Sequence, residues 1–407
     1  MTTTEHPIGV DLQALYEDFH RHPEIAFQEH RTTEVIAGLL TARGLRVSTS
    51  ETVTGVVASL RNGDGPVVAL RADIDALPIA EETGLSYTST GDAMHACGHD
   101  VHITALIGAI DELRARGDTW SGTLVAIFQP AEEVGSGART LAGSGIFADH
   151  PTPHVVLGHH TTNTLPPGHL ASRGGVLQAA ADTWQVTLRG PGGHAAAPHK
   201  TVDLIVLAAS IVLKLQTIVS RELPPDRSAV VTVGAIHGGT VGNIIPDTVT
   251  FTVNARSFSD DIRSAIATAV RRIVIGEAAT AGLEGEPEID HIVQFPINVN
   301  DLAAYALVHE ALSTEFGSDR VTEIEPLAGS EDFGDFGTYF DIPSVFWFFG
   351  GGLAPAVAHH HPPPNGHSPR YAPDPHQAIP TAIRALTATA RHFFRNALPP
   401  AFPEADT

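Results

Sequence analysis

TWQVTLR, residues 183–189, is the stretch on which the architecture turns. Its apolar and polar side chains alternate with a period of two, the pattern of a strand buried on one face. A long helical pattern follows at 203–220, then strand-like stretches at 228–236 and 248–256 (TVTFTVNAR), joined through the glycine-rich HGGTVGN. Residues 260–281 read as a second helix and 286–293 as a last strand. The order β-α-β-β-α-β is that of a ferredoxin-like unit. Residues 183–294 are therefore expected to form a compact domain inserted into a larger one made of 1–182 and 295–407.

Outside this stretch apolar strands alternate with helices, as in βα units. Leu12, Leu15 and Phe19 mark one face of an opening helix, and a second helix at 33–42 stops at Gly44, a glycine suited to a left-handed cap. Strands are expected at Val47, 56–60, 67–72, 122–128 and 154–157, and a helix at 102–116. Beyond Pro296 come a helix at 302–314, a buried strand at 344–348, the loop AVAHHHPPPNGHSPRY and a final helix at 378–396. An α/β class follows, with helices on both faces of a mostly parallel or mixed sheet.

Length and composition bound the rest. The 407 residues suit two domains, and 43% hydrophobic against 17% charged residues allows buried cores. The balance of 24 Lys+Arg against 46 Asp+Glu gives net −22, with lysine only at Lys200 and Lys214. So acidic a surface repels phosphate backbones, which argues against a nucleic-acid partner. No apolar run approaches the roughly 18 residues of a membrane span. Residues 1–10 lack the basic and apolar regions of a signal peptide, so a cytoplasmic protein is expected. Cys97 is the one cysteine and cannot form an internal disulfide, which leaves a buried small residue, a reactive thiol or a metal ligand. The 23 histidines ask for an explanation.

The chain has no GxSxG, HExxH, GxGxxG or glycine-lysine pair, which weakens serine-hydrolase, zincin and nucleotide-enzyme readings. Polar segments instead lie at the ends of expected strands, where open α/β sheets bind ligands. They are RADIDALP (71–78), HACGHDVH (95–102), QPAEE (129–133) and GHH (158–160), with GHS (366–368) in the late loop. Each alone has an ordinary explanation. Asp73 and Asp75 suit a turn, Cys97 a buried small residue, Glu132 and Glu133 a solvated pair, His160 a structural histidine, and His359, His360 and His361 an exposed loop. Five such segments together favour a metal site. Imidazole, thiolate and carboxylate form the ligand set of zinc and its first-row neighbours. Of two adjacent glutamates, one can bind metal while the other takes a proton from water, the division of labour of a hydrolase.

In order, HRHPEIAFQE (20–29), RADIDALP, HACGHDVHITA, FQPAEE, GPGGHAAAPH, GGTVGNIIPD, GSEDF (329–333) and GHS closely resemble the M20 peptidase family over nearly the whole chain. The resemblance is to its amidohydrolase branch, subfamily D, which includes indole-acetyl-amino-acid hydrolases, hippurate hydrolases and bacterial N-acyl-amino-acid amidohydrolases. It implies an aminopeptidase-like catalytic domain and an inserted lid and dimerisation domain. It makes Cys97, His99, Glu133, His160 and His367 the ligands of two divalent ions per subunit, Zn2+ or Mn2+, with Co2+ or Ni2+ as further choices. Cys97 takes the bridging role. Glu132 becomes the general acid/base, Asp75 orients a ligand, and His194 reaches the partner subunit's active site. Asn243 and Arg256 hold the substrate's carboxylate. Two departures are His159, where an aliphatic residue is usual, and Pro191, where lysine is common; alignment on Gly158 favours His160 over His159 as the ligand. The implied reaction splits an N-acyl or N-aroyl amino acid into a carboxylic acid and a free amino acid, in a homodimer or higher homo-oligomer built through the lid domain. A dinuclear aminopeptidase or dipeptidase is the alternative within the fold. A non-catalytic histidine-rich metal-binding protein is the alternative outside it, and leaves Glu132 without a purpose.

Overall fold

Helix α1 (Leu12–Arg21) begins where Asp11 accepts the backbone N–H groups of Gln13 and Ala14, and it buries Leu15, Tyr16 and Phe19. Helix α2 (His30–Ala42) starts three residues before its expected first turn. It closes as the sequence suggests. Gly44 takes φ +77°, and the N–H groups of Gly44 and Leu45 donate back to the carbonyls of Thr41 and Leu40 at 2.9 and 3.2 Å. The computed structural model describes residues 11–396; the signal-peptide reading of residues 1–10 falls outside the described residues.

The chain then forms β1 (Arg46–Ser48), β2 (Val56–Asn62), β3 (Val67–Asp73), α3 (His99–Ala115), β4 (Gly122–Gln129), α4 (Gly137–Gly143), β5 (Val155–Thr162) and β6 (Leu170–Ser172). Next come β7 (Ala180–Arg189), α5 (Leu204–Leu215), β8 (Ala229–Gly238), β9 (Thr248–Ser257), α6 (Asp260–Thr280) and β10 (Glu288–Phe295). Last are α7 (Leu302–Phe316), β11 (Val321–Glu323), α8 (Gly334–Phe340), β12 (Ser344–Gly350) and α9 (Pro375–Arg395).

Two units result. The first takes the described residues up to Leu177, Val299–Glu325 and those from Asp332 on; the second takes Gln178–Asn298 and Pro326–Glu331. The second is wider than the expected 183–294: it takes in β7 from Ala180, β10 to Phe295, the residues flanking them and the separate stretch Pro326–Glu331.

In the first unit the sheet order is β1-β2-β4-β3-β5-β12-β6-β11. β4, β3, β5 and β12 run parallel, whereas β2 and β1 are antiparallel additions at one edge. Successive residues of β4 feed two different cores. Leu124, Ala126 and Phe128 join side chains of α1, α3 and α9, while Val125 and Ile127 join Ala138 and Leu141 of α4 and Phe336 of α8. Burial on both faces explains why β3 and β4 read as unbroken apolar runs. Each large side chain so buried contributes about 1.5–3 kcal/mol.

In the second unit the order β8-β9-β7-β10 is antiparallel throughout and ferredoxin-like. Along β9, Val249, Phe251, Val253 and Ala255 pack on α5 and α6, and the intervening residues stay half-buried on the other face. Helix α5 stops at Leu215 instead of reaching 220, and a π turn over Ile218–Glu222 completes the segment. No helix among the described residues is long and apolar enough to cross a membrane.

Candidate metal centre

β4, β3 and β5 are neighbouring parallel strands, so their C-terminal ends deliver Gln129, Asp73 and the His159–His160 doublet to one edge of the sheet. Opposite that edge, α3 begins at His99 and not at 102. Its cap is Gly98 at φ +81°, where a Cβ would stand 2.6 Å from Thr161 Cγ2. Only glycine fits so close to β5, and this approach brings Cys97 and His99 to the strand ends.

Cys97 Sγ lies 3.3 Å from His160 Nε2 and 3.4 Å from His367 Nε2. His367 Nε2 is also 3.4 Å from Glu133 Oε2. Cys97, His99 and His160 form one group whose ligand atoms lie within 4.8 Å of each other, and Cys97, Glu133 and His367 form a second. His99, Glu132 and Glu133 make a third. Cys97 is common to the first two. His159, by strand alternation, turns the other way, fully buried beside Trp347 and Phe349.

Hydrogen bonds fix which atoms face the cluster. His160 Nδ1 donates to the Thr161 carbonyl at 2.6 Å, which leaves Nε2 as a lone-pair donor toward Cys97. His99 Nδ1 is held by Asp75, at 2.9 Å from its carbonyl and 3.2 Å from Oδ1. The other oxygen of Asp75 accepts the Glu133 N–H at 3.0 Å. One aspartate thus orients His99 and the turn carrying Glu133.

Asp73, His99 and His102 also cluster, but both nitrogens of His102 are in use. Nε2 accepts from Thr161 N–H at 2.9 Å, so Nδ1 carries the proton and donates to Asp73 at 2.5 Å. Asp73 in turn accepts from Arg71 at 2.7 Å, and Arg71 Nε donates to Gln129 at 2.8 Å. RADIDALP and HACGHDVH bring Asp73 and His102 to notice in the sequence, but not their pairing. Placing the helix start at 102 hid the i, i+3 spacing that stacks His99 on His102, with ring centroids 5.5 Å apart.

The electrostatics favour a cation. Burial pushes the Cys97 thiol well up, and Glu133, Glu132 and Asp73 push it further. Burial, with Asp75 adding, lifts Glu133 to about 7 against the pull of His99. Burial alone would depress His99, but Asp73, Asp75 and Glu133 outweigh it and carry it to about 10. Burial and then His102 hold His160 well below the usual histidine range. A positive ion among these groups would reverse the penalty on each anion. His99 Nε2 and Glu133 Oε1 are buried, without hydrogen-bond partners, and 3.9 Å apart. Buried polar atoms are rarely left so, and a bound divalent cation would satisfy both.

Residues 69–392 match peptidase family M20/M25/M40. The chain belongs to this family. An N-acetyl-L-cysteine deacetylase of Bacillus subtilis (strain 168) is 37% identical over 341 residues, covering 83% of this chain and 80% of that protein. IAA-amino acid hydrolase ILR1-like 4 of Arabidopsis thaliana is 35% identical over 336 residues, covering 81% and 75%. The solved structure of the Bacillus subtilis YXEP protein, described as a dinuclear metal binding peptidase from the M20 family, is similar with TM-score 0.76 and 30% identity over 94% of this chain and 98% of that one.

In this M20 chain the remaining expected site residues belong to the second unit. His194 sits exposed in a two-residue strand, Gly193–His194, paired with Ile244–Ile245. Asn243, also exposed, accepts the Ala195 N–H at 3.1 Å through its carbonyl. Gly192, at φ +65°, makes the turn after Pro191. Arg256, on the half-buried face of β9, donates from Nε to Asn254 Oδ1 at 3.2 Å and from Nη1 to Ser330 Oγ at 2.5 Å. Burial lowers its pKa.

Proposed function

We infer that this M20 protein is a metal-dependent amidohydrolase that cleaves the amide bond of N-acyl amino acids, releasing a carboxylic acid and a free amino acid. The observation that carries the reading is the sharing of Cys97 by two ligand groups, with Glu132 and Glu133 together beside His99 in a third. The deacetylase and the IAA-amino acid hydrolase among the relatives support the substrate class.

Cys97, His99, Glu133, His160 and His367 would hold two divalent ions, for which Zn2+ or Mn2+ is our choice, with Co2+ and Ni2+ next. Such a pair polarises a carbonyl and lowers the pKa of water toward about 7. The chain's own groups do the rest. Asp75 keeps His99 and the Glu133 turn in place. Glu132 takes the proton of the attacking water and returns it to the leaving amine, a role that asks for a carboxylate next to the ligands but not among them. Arg256 and Asn243 are our choice for the substrate's carboxylate, since a guanidinium fork matches it. His194 is proposed to donate to the developing oxyanion in the neighbouring protomer's site, which makes the enzyme at least a homodimer. Support for assembly comes from the second unit's edge strand β8, with Val230 and Ile236 exposed, and from Val206 and Leu213 on α5. A reduced thiol among the ligands suits the cytoplasm, where we place the enzyme.

The test is a hydrolysis screen of N-acetyl, N-benzoyl and N-indoleacetyl amino acids beside free dipeptides, with metal content measured on the same preparation. Release of amino acid from the blocked substrates is expected. Turnover of free dipeptides alone would move the protein to the peptidase alternative.

A further inference from the structure

Glu132 and Glu133 sit on a strained turn. Ala131, the residue before them, is held in the left-handed region at φ 54°, ψ 37°, which a non-glycine residue adopts only when its surroundings insist. The turn is packed hard from one side. A Cβ on Gly137 would stand 1.7 Å from the Pro130 carbonyl, and one on Gly55 would stand 2.8 Å from Pro130 Cδ. The backbone N–H groups on either side of Glu132 each find a buried carboxylate. Glu133 N–H donates to Asp75 at 3.0 Å, and Ala131 N–H donates to Glu29 Oε1 at 2.8 Å. Glu29 is fully buried at the start of α2, and its second oxygen accepts the Thr54 hydroxyl at 2.5 Å. Both oxygens are thus committed to holding the turn.

We propose that Glu29 is a positioning residue for hydrolysis: through Ala131 it fixes the backbone from which Glu132 reaches the substrate, as Asp75 fixes the Glu133 side of the same turn. The proposal rests on the reading of Glu132 as the proton carrier. The hydrogen-bond partners of the Glu29 carboxylate, Thr54 and Ala131, are not among the expected metal ligands. What it supplies is an acceptor at a fixed place, and a carboxamide can do the same: glutamine keeps an oxygen for Ala131 N–H, while the Thr54 hydroxyl turns from donor to acceptor for the new amide. Loss of the acceptor altogether frees Ala131 to relax out of its conformation and displaces Glu132. Misplacement of a catalytic group by about 1 Å costs roughly 100-fold.

The experiment compares Glu29→Ala, Glu29→Gln and Thr54→Val for kcat, KM and bound metal, and repeats Glu29→Ala in a Glu132→Gln background under single-turnover conditions. Glu29→Ala is expected to lose about 10- to 100-fold in kcat with KM and metal content near wild type, and Glu29→Gln to recover most of it. Thr54→Val, which frees one oxygen of Glu29, should fall between them, and it carries the test if Glu29→Ala does not fold. In the Glu132→Gln background Glu29→Ala should cost nothing further, because residues acting through one group are not additive. An equal loss in both backgrounds, a Glu29→Gln variant as slow as Glu29→Ala, or a wild-type kcat in Thr54→Val overturns the role of Glu29 and leaves Glu132 as assigned. A Glu132→Gln enzyme with wild-type turnover is the separate result that removes the proton carrier, and the role of Glu29 with it.

Discussion

Cys97 Sγ and His160 Nε2 face each other at 3.3 Å, the thiol from the loop before α3 and the imidazole from the end of β5. A thiol raised by burial and by Glu133 stays protonated by itself, and ligation to a divalent ion would make it a thiolate shielded from reagents. Chelator-treated protein should therefore be alkylated at Cys97 much faster than metal-loaded protein. Equal rates would remove Cys97 from the ligand set. Cys97→Ser should weaken metal binding by at least about 10-fold, the lower end of what even outer partners cost.

The two adjacent glutamates separate by a paired measurement. Glu133→Gln should lose metal and activity together, since Glu133 Oε1 is buried without a hydrogen-bond partner and Oε2 lies 3.4 Å from His367. Glu132→Gln should keep its metal and lose about 100-fold or more in kcat. If both variants lose metal to the same extent, the division of roles is wrong.

His194 can be tested by complementation. Mixing inactive His194→Ala with inactive Glu132→Gln should restore activity if hybrid dimers form, because one of the two sites then holds both residues. His194→Ala alone should be folded, metal-loaded and slower by about 100- to 1000-fold, the cost of an oxyanion donor elsewhere. Hybrids that form and stay inactive would place His194 outside the neighbouring site.

Stability should fall in alkali through His20. Its ring lies between Asp100 at 2.6 Å and Glu81 at 3.0 Å, all three side chains fully buried. Burial would lower its pKa, but the two carboxylates overcome this and raise it to about 9 from 6.5. A raised folded-state pKa gives stabilisation that is complete below about 6.5 and lost as pH climbs through about 9, worth about 3 kcal/mol in all. Melting curves between pH 6 and 10 should show that decline in the wild type and a flatter profile in His20→Gln. Parallel profiles would count against the triad.

Patterns that repeat within one element were legible in the sequence. The alternation in TWQVTLR and TVTFTVNAR located β7 and β9, and the unbroken apolar runs located β3 and β4. Boundaries and short elements without a local signal were missed. Helix α3 begins at a left-handed glycine with no capping side chain, so nothing marked His99 as its first residue. The seven-residue α4 and α8 likewise lack side-chain caps. The five expected ligands are named through the family resemblance, because they lie in the motifs that carry it. Glu29 and Ala131 could not be joined, since 102 residues separate the carboxylate from the N–H it accepts. The same limit hid the buttress of Asp73 and His102.

The six residues Pro326–Glu331 pack with the second unit although both flanking segments belong to the first. Ser330, the hydrogen-bond partner of Arg256 Nη1, lies among them. The inserted unit is therefore not a cassette that two cuts can lift out. A chimera that exchanges Gln178–Asn298 between relatives would leave behind the hydroxyl that Arg256 leans on, so recombination at this locus must carry both segments or mismatch the guanidinium with a foreign loop.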